Sequence, residues 1–314
     1  MGKFSYDEYI RLVGTKKNIW DEPEEKYKEQ FIPSVLYKYW SFTSNHIDEN
    51  LQKLCDGKIW MPIASTLNDP FEFQMLSDRL EEHERMSFRV DTLGRNSILS
   101  LCNSYNNNLL WAHYGYGHSG LCIEFEIENK SQIFPITYCQ KQVDVTDDVE
   151  QWLGIKKDVL SKPPQQWTAN ERCSLSKVLK IMFYKHCDWE YENEYRIIGR
   201  DICNSVDDDA KWSIKSGFWA DLQRDCGLKV SRIILGFNCS LQNKAKVIEI
   251  VNNHNKAVLM TEMIEYDFKF PVSEFIRNIY DRGDFISIAQ MVRINNSLEL
   301  VMKELQKKDA YLYE

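Results

Sequence analysis

Short strand-forming stretches and amphipathic helical stretches follow one another irregularly along this chain, and their order is the strongest constraint on its fold. Stretches rich in β-branched and aromatic residues lie at 35–40, 58–63, 98–102, 121–127, 136–139, 189–198, 231–236 and 257–263. A doubly wound parallel sheet would require a helix between successive strands in a regular βαβ order. That regularity is absent, so the sequence predicts an α+β fold.

The two ends of the chain are predicted to be helical, whereas helices and strands mix between them. They lie at 5–31, 47–54, 76–95, 146–187 (interrupted at Pro163-Pro164), 245–253 and from 271 onward. We therefore predict an N-terminal helical extension over 1–34, an α+β domain over 35–270 with a helical insertion at about 146–187, and a C-terminal helical tail over 271–314. A chain of 314 residues suffices for one large domain or two modest ones.

Composition narrows the class of protein. The formal charge of −8 argues against a protein that coats DNA non-specifically. The nine cysteines are widely spaced and form no C-x-x-C pair, so we expect reduced thiols in the cytoplasm. The N-terminal residues lack the apolar segment of a signal peptide, and no apolar run approaches the ~18 residues of a membrane span. A cytoplasmic protein without a membrane partner is therefore expected.

The segment Trp189–Arg196 carries the most informative group of charges. If it is a strand, its side chains alternate between faces, so that Glu190, Glu192, Glu194 and Arg196 share one face. Carboxylates about 7 Å apart repel one another, which can raise the pKa of one of them or bind a cationic or polyhydroxyl ligand. The alternative is an exposed edge strand whose charges deter aggregation.

A second candidate is the turn Asn68-Asp69-Pro70-Phe71-Glu72. Proline disfavours a helical conformation at the preceding residue, so this segment is expected to be extended and then to turn. The turn would place the Asn68 amide and the Asp69 carboxylate beside an aromatic ring. The alternative is a turn that only joins a strand to a helix.

A third candidate is the aromatic and glycine-rich segment Trp111–Gly120. It holds three glycines within six residues of a chain that has only 13, which predicts a backbone that approaches another group closely. His113 and Tyr114 would form part of a stacking pocket for a base or a nicotinamide ring, unless the segment is a hairpin with buried aromatics. The five-residue spacing of His113 and His118 suits neither helix nor strand ligand geometry, so no metal site is predicted at this pair of histidines.

The motifs of P-loop, dinucleotide-binding, zincin and serine hydrolase proteins are absent. The segments that are present fall in the order seen in domain of unknown function 2971, a bacterial family often encoded near phage-defence or toxin genes. The resemblance covers roughly residues 35–265. It is carried by Leu36-Tyr37-Lys38-Tyr39, Gly57-Lys58-Ile59-Trp60, Asn68-Asp69-Pro70-Phe71-Glu72, Trp111-Ala112-His113-Tyr114 with Gly120 and Glu124, and the segment from Trp189 to Arg196.

The chain also resembles ADP-ribosyltransferases more distantly. Tyr37-Lys38-Tyr39-Trp40-Ser41, a helix that ends before Gly57, and the following strand are similar to the opening of those enzymes, with Lys38 where a histidine or arginine is customary. Glu192-Asn193-Glu194 is similar to their late Glu-x-Glu motif. The resemblance implies a split mixed β-sheet and NAD⁺ as co-substrate.

The same resemblance implies roles for individual residues. Glu194 would be the catalytic carboxylate, Glu192 its partner, and Arg196 the residue that orients them. The residues implied to hold NAD⁺ are Tyr37, Lys38, Tyr39, Asn68, Asp69, His113 and Tyr114.

The expected activity is transfer of ADP-ribose from NAD⁺ to a nucleic acid or protein, by a bacterial toxin or anti-phage effector. Two alternatives stay open. Asp69, Glu72, His113 and the carboxylates of 190–194 would hold a divalent metal in a nuclease, or the aromatic-rich cleft would bind a nucleotide or partner without catalysis. The C-terminal amphipathic helix, with Leu298, Val301, Met302 and Leu305 on one face, would dock an antitoxin or regulatory partner.

Overall fold

The computed structural model describes residues 2–15, 22–44, 46–67, 69, 73, 79–92, 96–141, 143–200, 217–253 and 260–263. Its helices are α1 (Tyr6–Val13), α2 (Pro23–Glu29), α3 (Ile47–Cys55), α4 (Glu82–Thr92), α5 (Asn108–His113), α6 (Thr146–Leu160), α7 (Ala169–Val178), α8 (Lys180–Phe183) and α9 (Leu241–Asn253). Its strands are β1 (Val35–Trp40), β2 (Lys58–Pro62), β3 (Asn96–Cys102), β4 (Leu121–Ile127), β5 (Ile133–Pro135), β6 (Thr137–Cys139), β7 (Tyr184–His186), β8 (Glu194–Arg200), β9 (Gly217–Asp221), β10 (Leu228–Leu235) and β11 (Met260–Met263).

Seven of these strands form the central sheet, in the order β11-β10-β4-β1-β3-β8-β5. Neighbouring strands are antiparallel except β10 and β11, which are parallel. Two smaller sheets accompany it: β2 pairs with β9 in antiparallel fashion, and β6 pairs with β7 in parallel fashion. The architecture is therefore α+β with a mixed, mostly antiparallel sheet.

Alternation of side chains along the central strands separates two faces of the sheet. Leu36, Leu101, Ile123, Ile197 and Ile233 belong to one apolar core, which also contains residues of α3, α9 and the β2–β9 pair. Because side chains in a strand alternate with a period of two, all five point to the same face. This face carries the larger share of the aliphatic core.

The opposite face carries two separate, aromatic-rich cores. One contains Ile98 of β3 and Phe183 of α8, together with residues of α1, α6 and α7. The other contains Tyr37 and Tyr39 of β1 and is covered by Trp111 of α5. Tyr39 and Trp111 meet edge to face, with ring centres 4.8 Å apart. Ile98 of the first core and Tyr37 and Tyr39 of the second line a common cavity, which also holds polar side chains.

The N-terminal helices pack directly on the rest of the chain. The Ser5 hydroxyl caps α1 by accepting a hydrogen bond from the Glu8 N–H, and the Tyr6 N–H donates to Thr137 Oγ1 at 3.0 Å. The Tyr184 hydroxyl donates to Asp7 at 2.7 Å. The extension thus contacts the segments that hold β6 and β7.

Most of the predicted elements are confirmed. The structure has strands at or near 35–40, 58–63, 98–102, 121–127, 231–236 and 257–263, and helices over 47–55 and 241–253. The predicted insertion at 146–187 contains α6, α7, α8 and the short strand β7. Residues 271–314, the predicted C-terminal tail, lie outside the described residues.

Two predictions are wrong. The segment 189–198 is not one strand: a 3₁₀ turn covers Cys187–Glu192, Asn193 is left-handed (φ 43°, ψ 55°), and β8 begins only at Glu194. Asparagine tolerates the left-handed region better than most residues, and this conformation ends the alternation. The second concerns 136–139, a stretch expected to continue the same sheet as its neighbours: β6 pairs with β7 in a separate two-stranded sheet instead.

Among the described residues, none of the helices combines the length and the apolar character that crossing a bilayer requires. The eight cysteines of the described ranges are free thiols.

Candidate functional site

A cavity of about 170 Å³ opens between β1 and β3 on the face with the aromatic-rich cores. These two strands pair at Tyr37↔Cys102, whereas β3 and β8 pair from Asn96↔Arg200 through Cys102↔Glu194. The cavity is lined by side chains from both strands, from α5 and from the segment 185–194. Its polar lining residues are Tyr37, Lys38, Tyr39, Ser100, Tyr114, Lys185, Glu192 and Glu194.

Glu194 is the most firmly held carboxylate of the cavity. Arg196, two residues further along β8 on the same face, donates from Nε to Glu194 Oε1 at 2.7 Å and from Nη2 to Oε2 at 2.9 Å. Its third nitrogen, Nη1, donates to the Met182 carbonyl at 2.8 Å. Burial by itself would raise the pKa of Glu194, but the charges of Arg196 and Lys185 outweigh it and lower that pKa to about 2. Glu194 is therefore an anion at neutral pH.

Lys185 joins the two carboxylates. Its ammonium donates to Glu192 Oε2 at 2.7 Å and to Glu194 Oε2 at 3.2 Å, and it lies 4.9 Å from the ring centre of Trp189. The Tyr114 hydroxyl donates to the other oxygen of Glu192 at 2.6 Å. Lys185 thus bridges the two acidic side chains, and its positive charge offsets the repulsion expected from the sequence.

Lys185 was not identified from the sequence. A signal for it exists in the sequence, because this lysine directly follows the apolar and aromatic residues 181–184. A lysine within such a run is buried in the fold and then requires a carboxylate partner.

Asn193, in the left-handed region, lies between the 3₁₀ turn that carries Glu192 and the strand that begins at Glu194. The Asn193 N–H donates to the Glu190 carbonyl at 3.1 Å and closes the 3₁₀ turn. The residues on either side of Asn193, Glu192 and Glu194, are both buried and line the cavity. Glu190, which the strand prediction placed on the same face, is instead partly exposed and contacts Lys3.

Lys38 enters the cavity from β1. Its ammonium donates to the Ser100 carbonyl of β3 at 3.1 Å, beyond the paired position of the two strands. Burial lowers the pKa of Lys38, and the nearby Glu194 carboxylate partly opposes that effect. Two lysines and two carboxylates thus line the cavity, and the Lys38 amine, which donates to a neutral carbonyl, is the group suited to an anionic ligand.

The two tyrosines of β1 are held by their hydroxyl groups. Tyr37 donates to Glu124 Oε2 at 2.9 Å, and the same oxygen accepts a hydrogen bond from Arg232 at 2.6 Å. Tyr39 donates to the Ser104 carbonyl at 3.0 Å. Both hydroxyls are therefore used in fixing the sheet, and it is the ring surfaces of Tyr37 and Tyr39 that line the cavity.

Two of the predicted binding residues, His113 and Asp69, are not among the described residues that line the cavity. His113 is exposed at the end of α5, where its ring lies 6.1 Å from that of Tyr191. Asp69 is buried but is not among the described residues that line the cavity, and Asn68 lies outside the described residues. Within the described residues, Asp69, His113 and the carboxylates of 190–194 therefore do not form one metal-ligating group, and Glu72 lies outside the described residues.

One group of metal-ligating side chains occurs within the described ranges, away from the predicted carboxylates. The ligand atoms of His186, Cys187 and Asp188 lie within 4.8 Å of one another. Both ring nitrogens of His186 already have neighbours at hydrogen-bond distance, the Asp188 N–H at 3.3 Å and the Gln140 carbonyl at 3.2 Å. This group is thus accounted for by the local turn.

Comparison with known proteins gives one match. Residues 110–197 match a family described as a protein of unknown function, DUF2971. This supports the family resemblance over a shorter range than the sequence motifs suggested, and the range contains Tyr114, Lys185, Glu192, Glu194 and Arg196. Comparisons with curated proteins and with solved structures gave no match.

Proposed function

We propose that this chain transfers ADP-ribose from NAD⁺ to an acceptor, as a bacterial toxin or anti-phage effector of the cytoplasm. One observation carries the proposal: Glu192 and Glu194 share a cavity with Lys38, which comes from β1, two strands away from β8 in the sheet. A carboxylate pair facing a cation across an opening in a sheet is the arrangement that the ADP-ribosyltransferase resemblance implies.

Two anionic groups suit the chemistry of this transfer. As the bond between the ribose carbon and nicotinamide breaks, nicotinamide leaves with the bonding electron pair and positive charge develops on the sugar. A fixed carboxylate such as Glu194 stabilises that charge without having to reorganise. Arg196, Lys185 and the Ser100 hydroxyl already donate to Glu194, so Glu194 would act on the ribose through its fixed negative charge.

Glu192 is suited to a different task. It is bound by Lys185 and Tyr114 but lacks the two-fold contact with an arginine that Glu194 has. When the acceptor atom forms its bond to the ribose carbon, it loses a proton, and Glu192 would take it as general base. The roles of the two carboxylates thus follow from their different partners.

The size and charge of the cavity suggest which part of NAD⁺ enters it. A volume of about 170 Å³ is below the ~300–1,000 Å³ of pockets for larger ligands, so the cavity fits one ring and its sugar. The ammonium of Lys38 would contact the diphosphate, and the adenosine would lie outside the cavity.

Incubation with NAD⁺ labelled in its adenylate phosphate, together with total RNA or a cell lysate, tests the proposal. We expect release of nicotinamide and transfer of label by the wild-type protein. Glu192→Gln and Glu194→Gln should lower both by about 100-fold or more, because each removes a charge that acts in the transition state. Glu8→Gln is the matched control, since Glu8 forms a surface ion pair with Arg11 on α1.

Thermal unfolding of each variant shows whether lost activity reflects lost structure. Folded wild-type protein that releases no nicotinamide and labels nothing would refute the proposal. EDTA-sensitive cleavage of RNA or DNA would support the nuclease hypothesis instead, and nucleotide binding without turnover would support a sensor.

A further inference from the structure

Three aromatic side chains form a row beside the cavity, here named the aromatic strip: Trp189, Tyr191 and His113. The ring centres of Trp189 and Tyr191 are 6.0 Å apart, and those of Tyr191 and His113 are 6.1 Å apart, with the planes tilted by 35° in each pair. Trp189 and Tyr191 are half-buried and His113 is exposed. The strip therefore offers aromatic surface to the solvent.

Two contacts hold the strip in place, one at Tyr191 and one at Trp189. The Asn107 side chain caps α5 by accepting hydrogen bonds from the Leu109 and Leu110 N–H groups, and its Nδ2 donates to the Tyr191 carbonyl at 2.7 Å. Asn107 thereby fixes the helix that carries His113 to the turn that carries Tyr191. The Lys185 ammonium also supports Trp189 from the cavity side. A surface fixed in this way loses little entropy when a ligand binds.

The strip is continuous with the cavity. Tyr191 is followed in the chain by Glu192, and His113 is followed by Tyr114, whose hydroxyl donates to Glu192 at 2.6 Å. A flat group bound on the strip would therefore lie next to the carboxylate to which the proposed function gives the acceptor proton.

We propose that the aromatic strip binds the acceptor, and that the acceptor is an unpaired base of a single-stranded nucleic acid. This inference rests on the proposed function and adds the substrate class. Rows of aromatic side chains bind successive bases of single strands by stacking, and they tolerate any sequence because every base has a π face. A peptide offers no comparable series of flat rings, so the strip favours a nucleic acid over a protein.

Binding of a fluorescent single-stranded oligonucleotide of about twelve nucleotides, measured by anisotropy without NAD⁺, tests the inference. We expect Trp189→Ala and Tyr191→Ala each to weaken binding about 5- to 100-fold, and Tyr191→Phe to bind like wild type, because stacking requires the ring alone. Trp219→Ala is the matched control. Trp219 is a half-buried tryptophan that packs on Trp60 in the β2–β9 sheet and should not affect binding.

The test separates this inference from the proposed function, because strand binding is measured without NAD⁺ and depends on the aromatic strip, whereas nicotinamide release depends on the carboxylates of the cavity. Equal affinity of wild type and both alanine variants would overturn the inference, as would failure of the wild type to bind the oligonucleotide. Displacement of the strand by free NAD⁺, together with weaker NAD⁺ binding in both alanine variants, would also overturn it, since the strip would then belong to the adenine of the dinucleotide. Labelling of protein alone in a mixed lysate would point to a peptide acceptor and count against it as well.

Discussion

Lys185 Nζ lies 2.7 Å from Glu192 Oε2, and the two side chains are only 4% and 6% exposed. Removing such charges from water costs several kcal/mol per ion, which only a close partner offsets. Each of the two groups therefore depends on the other, and Glu194 depends on both Lys185 and Arg196. The integrity of the cavity can be tested through these pairs.

Lys185→Met should destabilise the protein by about 3–5 kcal/mol, because it leaves Glu192 without its cation and brings two carboxylates face to face. Urea unfolding at pH 7 measures the loss. Lys246→Met is the matched control: Lys246 pairs with Asp48 at a much more exposed position and should change the stability by less than about 1 kcal/mol. Equal effects of the two substitutions would show that Lys185 does not hold the site together.

Stability should fall in acid through Glu194. Its pKa is about 2 in the folded protein against an ordinary value of 4.5, so the folded state favours the ionised form. The resulting stability, on the order of 3 kcal/mol, is fully present above pH 4.5 and is lost as the pH falls from there toward 2. Urea unfolding from pH 7 to pH 2.5 should show the difference between wild type and Glu194→Gln shrinking below pH 4.5. A difference that stays constant with pH would contradict this.

The pH profile of nicotinamide release should depend on Lys38. Burial lowers the pKa of Lys38 below the ordinary 10.5, so its charge is lost earlier as the pH rises. We expect kcat/KM to fall on the alkaline side below pH 10.5. In Lys38→Arg the guanidinium stays charged, so this alkaline fall should disappear.

Lys38→Met is the companion variant, and it should lower kcat/KM at every pH because it supplies no cation. The same alkaline fall in wild type and Lys38→Arg would assign the titration to another group.

Gly120 directly precedes β4 and lies beside Trp40, the last residue of β1. A Cβ at this position would overlap the Trp40 carbonyl oxygen and lie 3.0 Å from that of Gly115. Gly120→Ala should therefore cost about 1–3 kcal/mol, as measured by urea unfolding. Gly154→Ala is the opposite case, because a Cβ there meets nothing within 4 Å and alanine favours helix α6, so we expect up to about 1 kcal/mol of added stability. Equal stability of both variants would show that the backbone near Gly120 yields easily.

The sequence predicted the elements whose pattern is local. β1 matches its predicted range of 35–40, because β-branched and aromatic residues follow Pro33 there. Helix α3 was also predictable, because Ile47, Leu51 and Leu54 recur at helical spacing and Gly57 adopts a positive φ of 77° just after it.

Features that depend on distant contacts were not predictable in the same way. The alternation in 189–198 fits a strand, yet the left-handed Asn193 and the burial of Glu192 against Lys185 replace its first half by a turn. Strand β9 was missed because its residues gain strand geometry through pairing with β2. The inward position of Glu192 and Glu194 arises from tertiary ion pairs, which a local pattern does not reveal.

The cavity between β1 and β3 takes its side chains from segments that run from residue 38 to residue 194. During synthesis, Lys38 therefore emerges from the ribosome long before Glu192 and Glu194 do. A nascent or proteolytic fragment that begins after residue 38 or ends before residue 192 lacks one half of the proposed centre. The proposed transfer of ADP-ribose would therefore begin in the producing cell only after most of the polypeptide has been translated and has folded.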